Sequence, residues 1–123
     1  MLIKSHRDLE VYKIAFDTAI NIFDISKDFP TQEQFSLTSQ IRRSARSVCA
    51  NLAEAFRKRK YEKHFISKIS DCEAEAGETQ VWLEFCLSHK YINQETYNKL
   101  FDNYEHIISM LVKMQSNSNK WTF

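Results

Sequence analysis

The sequence predicts an all-α protein, an antiparallel up-down-up-down four-helix bundle that forms a single domain over residues 1–123. Gly77 and Pro30 are the only glycine and proline in the chain, and the tight turns of β-rich folds depend on these two residue types. Apolar residues also recur at steps of three and four along four segments, which is the spacing of one helical face. The predicted helices span residues 8–27, 37–57, 61–89 and 94–115.

The first predicted helix follows Ser5 and Asp8, which have the spacing of a capping box. We predict a heptad seam along this helix. Its members are Leu9, Tyr12, Phe16, Ala19 and Phe23. Further apolar residues widen this surface beyond one seam, so we expect the helix to contact two neighbours. Pro30 ends the helix, and we expect Thr31 with Gln34 to cap a short turn.

The second predicted helix has an apolar stripe and, one position earlier, a polar stripe. The apolar stripe is Leu37, Ile41, Ser44, Val48, Leu52 and Ala55. The polar stripe is Gln40, Arg43, Ser47, Asn51 and Glu54. We expect the polar stripe to form hydrogen bonds to a neighbouring helix, because half-buried polar groups need partners. A continuous helix through to residue 89 would be unable to bury its own seam, so we predict a turn near residues 57–60.

The third and fourth predicted helices have regular seams. The third seam is Phe65, Ile69, Cys72, Ala76, Thr79, Leu83 and Cys86. The fourth seam is Tyr97, Leu100, Tyr104, Ile107, Leu111 and Met114. Gly77 interrupts the third helix at a cost of about 1 kcal/mol relative to alanine, which close packing against another helix would explain. Asn93 is the predicted N-cap of the fourth helix.

Several large apolar residues lie outside these seams. On the third helix, Val81, Trp82 and Phe85 form either a wider core face or an exposed aromatic patch for another subunit. Phe101 and Ile108 lie beside the fourth seam. We predict these residues as the subunit interface: Trp82, Phe85, Phe101 and Ile108. At the end of the chain, Trp121 and Phe123 either dock on a neighbour or are disordered.

The three cysteines indicate a reducing environment. Cys49, Cys72 and Cys86 form no CxxC pair, so we interpret them as reduced, small core residues. The sequence has no signal peptide and no apolar run long enough to span a membrane. We therefore expect a cytoplasmic protein without a membrane partner.

No pattern of residues indicates catalysis. A di-iron bundle would need glutamate three residues before histidine, and none of the four histidines has one. The acidic run of the third helix (Asp71, Glu73, Glu75, Glu78 and Glu84) is interpreted as a solvated face. A glycine-rich phosphate loop is also absent from the sequence. We predict a non-enzymatic protein without cofactor, metal or small-molecule substrate.

Positive charge is concentrated in residues 40–70. This segment has nine Lys and Arg against two Glu, a net charge of +7, whereas the remaining residues have eight against fourteen, a net charge of −6. Such asymmetry indicates either an anionic partner or head-to-tail self-association. Phosphates favour such clusters through counterion release and bidentate arginine contacts. The predicted nucleic-acid-binding residues are Arg42, Arg43, Arg46, Arg57, Lys58, Arg59 and Lys60.

Two structural roles compete with this interpretation. Cations at the C-terminal end of a helix complement its dipole, which would account for residues 57–60. Arg42, Arg43 and Arg46 would also pair with the acidic face of the third helix, within or between subunits. The two hypotheses are thus a homo-oligomer that binds RNA or DNA backbone and a protein–protein scaffold whose basic face pairs with acidic surface on a neighbour.

The order of several short motifs resembles the four-helix bundle family of 23S rRNA intervening-sequence proteins. These motifs are RDLEVY at residues 7–12, FP at 29–30, QIRRS at 40–44, NLAE at 51–54, EA at 75–76, ETQVWL at 78–83 and YI at 91–92. Many relatives have glycine where Ala55 stands, and this difference disfavours a sharp turn directly after Glu54. The arginines at 42, 43 and 46 fall on or beside the shared QIRR motif, whereas the RKRK cluster at residues 57–60 is less uniformly shared.

This resemblance implies a bundle that assembles into a homopentameric ring. It also implies a gene family first noticed as reading frames inside 23S rRNA genes. The pentameric accessory proteins of diversity-generating retroelements are related, and they work with a reverse transcriptase and nucleic acid.

Overall fold

The computed structural model describes residues 3–123, so the first two residues of the predicted domain lie outside the described part. Within residues 3–123 the chain forms four α-helices and no strand, which confirms the predicted all-α class. The helices are α1 (Glu10–Ser26), α2 (Leu37–Arg57), α3 (Glu62–Ser88) and α4 (Gln94–Ser116). Each begins and ends within two residues of its predicted bounds. None of these helices combines the length and apolarity needed to cross a bilayer.

Each helix packs against two others, so the four helices form a closed bundle. α2 packs on α3, α3 packs on α4, and α1 packs on both α2 and α4, so α1 has the two neighbours that were expected. In the interface of α2 with α3, the Thr79 and Ser44 hydroxyls lie 2.8 Å apart, and Lys68 pairs with Glu54. The paired positions run in opposite order along the two helices, so α2 and α3 are antiparallel. α1 and α3 lie diagonally across the bundle.

The stripes predicted for three helices form the core. Every member of the apolar stripe of α2 and of the seam of α3 is buried. The seam of α4 is buried except for Tyr97, which is half-buried. These helices have one face of consistent apolar spacing, and burial of that face is the main favourable contribution to folding.

The seam predicted for α1 is wrong. Of its members only Leu9 is buried, and Phe16 faces solvent. The inward-facing residues of α1 are Val11, Ala15, Thr18, Ile22 and Ser26. Thr18 donates its hydroxyl to the Ile14 carbonyl at 2.7 Å and Ser26 donates to the Phe23 carbonyl at 2.8 Å. Because the helix itself satisfies these hydroxyls, small polar residues can occupy the core and the larger aromatic residues turn outward.

Both predicted caps with side-chain hydrogen bonds are confirmed. Ser5 and Asp8 form a capping box, although it closes a short 3-10 turn (His6–Asp8) rather than α1 itself. The Asn93 side chain accepts a hydrogen bond from the Thr96 backbone N–H at 2.8 Å and begins α4. Pro30 precedes a second 3-10 turn, Thr31–Glu33, which has no side-chain cap from Thr31.

Gly77 has no close neighbour, which corrects the expectation that tight packing explains it. A Cβ atom added there meets no atom within 4 Å. We therefore expect Gly77→Ala to stabilise the protein by about 1 kcal/mol, because alanine is the better helix former in the middle of α3. Urea unfolding of the two proteins measures this difference. A destabilised variant would mean that another subunit packs closely against Gly77.

The three cysteines are free thiols. Cys72 and Cys86 are buried, and burial raises the pKa of Cys86 to about 12. Cys49 is half-buried between α1 and α2, and burial likewise raises its pKa to about 11. Since the thiolate is the reactive form of cysteine, all three are poor nucleophiles at neutral pH.

Candidate nucleic-acid interface

α2 presents its basic residues outward because its opposite face is buried. Ile41, Ala45 and Val48 are buried in the core, so the intervening positions of the helix face away from it. Arg43 and Arg46 are exposed and Arg42 is half-buried. A second basic group follows at the end of the helix, after about four turns.

Arg42 and Arg46 are held against an aromatic ring of α1. The guanidinium carbon of Arg42 lies 4.5 Å from the centroid of the Phe23 ring, and that of Arg46 lies 5.6 Å from it. Arg42 Nε also donates a hydrogen bond of 2.7 Å to Ser26 Oγ. Within residues 3–123 no carboxylate lies within ion-pair distance of either arginine. Their positive charge is thus positioned but not neutralised by the described chain.

Arg43 is instead paired with α3. Its Nη2 lies 2.8 Å from Glu78 Oε1 and 3.4 Å from Glu75 Oε2. The hydrogen bond to Glu78 raises the pKa of Arg43. The intrachain alternative considered for the three arginines therefore holds for Arg43, and two glutamates offset its charge.

An open groove of about 560 Å³ runs along this part of α2. Its lining residues are Gln34, Phe35, Ser39, Arg42, Arg43, Arg46, Ser47 and Ala50. We call it the arginine groove. Phe35, which sequence reasoning did not select, is 88% exposed at one end of the groove. Its position outside any apolar periodicity, two residues before α2, was the only signal in the sequence.

The backbone around Phe35 is held by the Glu33 carboxylate. This group accepts hydrogen bonds from Ser36 Oγ at 2.6 Å, from the Leu37 N–H at 3.4 Å and from the Tyr91 hydroxyl at 2.9 Å. The hydrogen bonds from Ser36 and Tyr91 lower the pKa of Glu33. The N-terminal end of α2 is thereby tied to the loop that follows α3.

The second basic group lies in the turn between α2 and α3, where a turn was predicted. The Lys58 N–H donates to the Ala55 carbonyl at 3.0 Å, and the Tyr61 N–H donates to the Lys58 carbonyl at 2.9 Å. Arg57, Lys58 and Lys60 are exposed, and in the described chain none has a carboxylate within ion-pair distance. We call these three residues the basic turn.

Arg59 differs from its neighbours because its side chain folds back on the bundle. Its guanidinium carbon lies 3.6 Å from the centroid of the Phe56 ring, and Nε donates to the Phe56 carbonyl at 2.9 Å. The chain end docks here as well. The Phe123 N–H donates to the Arg59 carbonyl at 3.3 Å, and Trp121 packs against the core. The tail thus docks on its own bundle, which is neither of the two outcomes considered for it.

The acidic face of α3 is largely engaged within the chain rather than simply solvated. Glu75 and Glu78 pair with Arg43, and Asp71 lies 3.9 Å from Lys68 Nζ. Glu73 Oε1 accepts a hydrogen bond of 2.8 Å from Gln115. In the polar stripe of α2, Arg43 and Glu54 contact α3 as expected. For Gln40, Ser47 and Asn51 the described residues show no side-chain hydrogen bond.

The residues predicted for the subunit interface differ in exposure. Phe85 is exposed, whereas Trp82, Phe101 and Ile108 are half-buried. Val81, which the sequence analysis placed beside Trp82 and Phe85, is also exposed, as are Phe16, Ile20 and Val112, which were not predicted at the interface. Among residues 3–123 no group of three or more His, Cys, Asp or Glu side chains is arranged to hold a metal ion.

Comparison with known proteins gives a family and a fold relative. The family model described as 23S rRNA-intervening sequence protein matches residues 7–113, in agreement with the resemblance found in the sequence. A crystal structure of a protein of unknown function from the S23 ribosomal protein family of Bacteroides thetaiotaomicron is similar, with a TM-score of 0.78 and 28% sequence identity. The alignment covers 86% of this chain and 95% of that chain. No curated protein matches the chain significantly.

Proposed function

The chain belongs to the family of 23S rRNA-intervening sequence proteins, and from this premise we propose that it is a cytoplasmic, non-enzymatic homo-oligomer that binds the backbone of RNA or DNA. The main observation in support is the pair of basic surfaces on α2, the arginine groove and the basic turn. Five of their side chains have no carboxylate partner in residues 3–123: Arg42, Arg46, Arg57, Lys58 and Lys60.

Binding of phosphate groups to these side chains has a favourable free-energy contribution that their hydration lacks. Each phosphate that approaches a cation releases condensed counterions, and this release favours binding without regard to sequence. Arg42 and Arg46 are already held on Phe23, so little side-chain freedom is lost when they bind. The exposed residues of the basic turn reach outward from the end of α2 and add nondirectional charge. Binding of this kind has weak sequence preference.

The scaffold hypothesis has less support in the same contacts. It needs acidic surface on a neighbouring subunit or partner to meet the basic face of α2. Glu75 and Glu78 already pair with Arg43 of their own chain, and Asp71 lies beside Lys68. The acidic groups left for a neighbour are therefore fewer than the sequence indicates.

Two apolar surfaces support the oligomer. Phe16 and Ile20 are exposed one turn apart on α1, and we call them the α1 patch. Val81 and Phe85 are exposed one turn apart on α3, and we call them the α3 patch. We propose that the α1 patch of one copy meets the α3 patch of the next. Head-to-tail contacts of this kind form a ring when the rotation between successive copies closes, and an open filament when it does not. We propose a closed ring of five subunits, the number that the family resemblance implies.

A salt titration tests the proposed binding. We expect the protein to bind RNA and DNA oligonucleotides of unrelated sequence, with the logarithm of the affinity falling linearly against the logarithm of salt concentration. Five phosphate contacts per subunit predict a slope of about −3.5 for single strands and about −4.5 for duplex DNA. Fluorescence anisotropy over a series of salt concentrations measures it. An absence of binding at low salt, or an affinity insensitive to salt, would contradict the proposal.

A further inference from the structure

We propose that the arginine groove is a site for single-stranded nucleic acid, in which one base stacks on Phe35 and the adjoining phosphates contact Arg42 and Arg46. This inference rests on the proposed function and adds the form of nucleic acid that the protein selects. It follows from an exposed aromatic ring and unpaired guanidinium groups that line one groove.

Phe35 has the features of a stacking platform. In the isolated subunit it is 88% exposed, so a planar base can reach its ring there. Backbone hydrogen bonds on both sides of it hold the segment: Gln34 N–H donates to the Thr31 carbonyl at 3.0 Å, and Ser36 N–H donates to the Glu33 carbonyl at 3.0 Å. The Glu33 carboxylate adds the contacts to Leu37 and Tyr91 described above. A ring on a fixed segment costs less ordering on binding than one on a free loop.

The groove supplies the contacts that a strand needs beside a stacked base. Arg42 and Arg46 offer guanidinium groups whose charge no carboxylate in residues 3–123 offsets. The hydroxyls of Ser39 and Ser47 line the same groove and can donate to phosphate or sugar oxygens. The volume of about 560 Å³ lies within the range of roughly 300–1,000 Å³ that is usual for small-ligand sites. There is thus room for a nucleotide and its flanking phosphates.

This combination distinguishes single strands from duplexes. In a duplex the base faces are stacked on one another, and only the phosphates and groove edges are accessible. Aromatic residues beside cationic grooves therefore recognise unpaired bases, since every base has a flat face. The phosphates of a duplex would contact Arg42 and Arg46, but none of its bases would stack on Phe35.

Phe35 variants of the whole chain test this inference. We expect Phe35→Ala to weaken binding to a single strand of about 15 nucleotides by about ten- to a hundredfold, and to leave duplex affinity unchanged. Phe35→Trp should restore single-strand binding. Phe35→Leu keeps an apolar side chain but has no ring, so it should behave like alanine. Fluorescence anisotropy with matched single-stranded and duplex oligonucleotides measures these affinities.

The outcomes separate this inference from the function on which it rests. If the wild-type protein binds neither form, the proposed function fails and this inference fails with it. If it binds both forms and the alanine variant does the same, only the role of Phe35 is refuted. If the leucine variant binds like the wild type, or if the alanine variant changes the mass of the assembly in solution, Phe35 is an apolar subunit or protein contact instead.

Discussion

Replacing Arg57, Lys58 and Lys60 together with serine is expected to remove most of the protein's affinity for nucleic acid. These side chains are exposed, and in the described chain they have no carboxylate partner. The loss of three phosphate contacts should reduce the magnitude of the salt slope by about 2 to 3, and the affinity by about 100- to 500-fold at about 0.1 M salt. Anisotropy titrations of wild type and variant at several salt concentrations measure both quantities.

The variant leaves Arg59 in place because that side chain stacks on Phe56 and bonds to its carbonyl. Serine at position 59 would therefore change folding and charge together. The matched control replaces three exposed lysines of α1 and α4, Lys13, Lys99 and Lys113, with serine. It lowers the net charge equally, so we expect it to retain binding. If both triple variants lose affinity alike, total charge and not the basic turn determines binding.

Charge placed in the α1 patch is expected to dissociate the assembly. Phe16 and Ile20 are 46% and 47% exposed, so the Phe16→Asp/Ile20→Asp variant should still fold as a subunit. In a subunit interface the new carboxylates would be buried without partners, which costs about 3–5 kcal/mol. Native mass spectrometry should then detect monomers of the variant, in contrast to the ring that we propose for the wild type. Val112→Asp is the matched control, because Val112 is 46% exposed on α4 and lies in neither patch.

Mixing two variants tests which surfaces meet. Val81→Asp/Phe85→Asp should also yield monomers, because it disrupts the α3 patch. The α1-patch variant retains its α3 patch and the other retains its α1 patch, so a mixture has one intact head-to-tail contact. We expect a 1:1 heterodimer that cannot extend into a ring. A wild-type mass for either variant, or no heterodimer in the mixture, would refute this arrangement.

The sequence was sufficient for the helices and for most of the core. Long segments of apolar three- and four-residue spacing determine helix bounds locally, and only one glycine and one proline interrupt them. The seam of α3, from Phe65 to Cys86, is buried as predicted. The turn at residues 58–61 was also predictable, although no helix-breaking residue marks it, because a longer helix would leave its seam exposed to water.

The orientation of α1 was not predictable from spacing. Two faces of that helix have the same periodicity, one with Phe16 and Phe23 and the other with Ala15 and Ile22. The larger side chains favoured the aromatic face, but the other face is buried. Its two polar residues, Thr18 and Ser26, donate their hydroxyls to carbonyls of their own helix. Since both faces repeat every three or four residues, only the positions of α2 and α4 decide which one is buried.

The sequence by itself determined that a basic helix lies in an all-α protein, because local spacing and composition specify both features. Tertiary structure alone decided which cations are free. It paired Arg43 with Glu78 and held Arg42 and Arg46 on Phe23 without a carboxylate in the described chain. Such pairings join residues distant in the chain, and the distances between them exist only once the helices have packed.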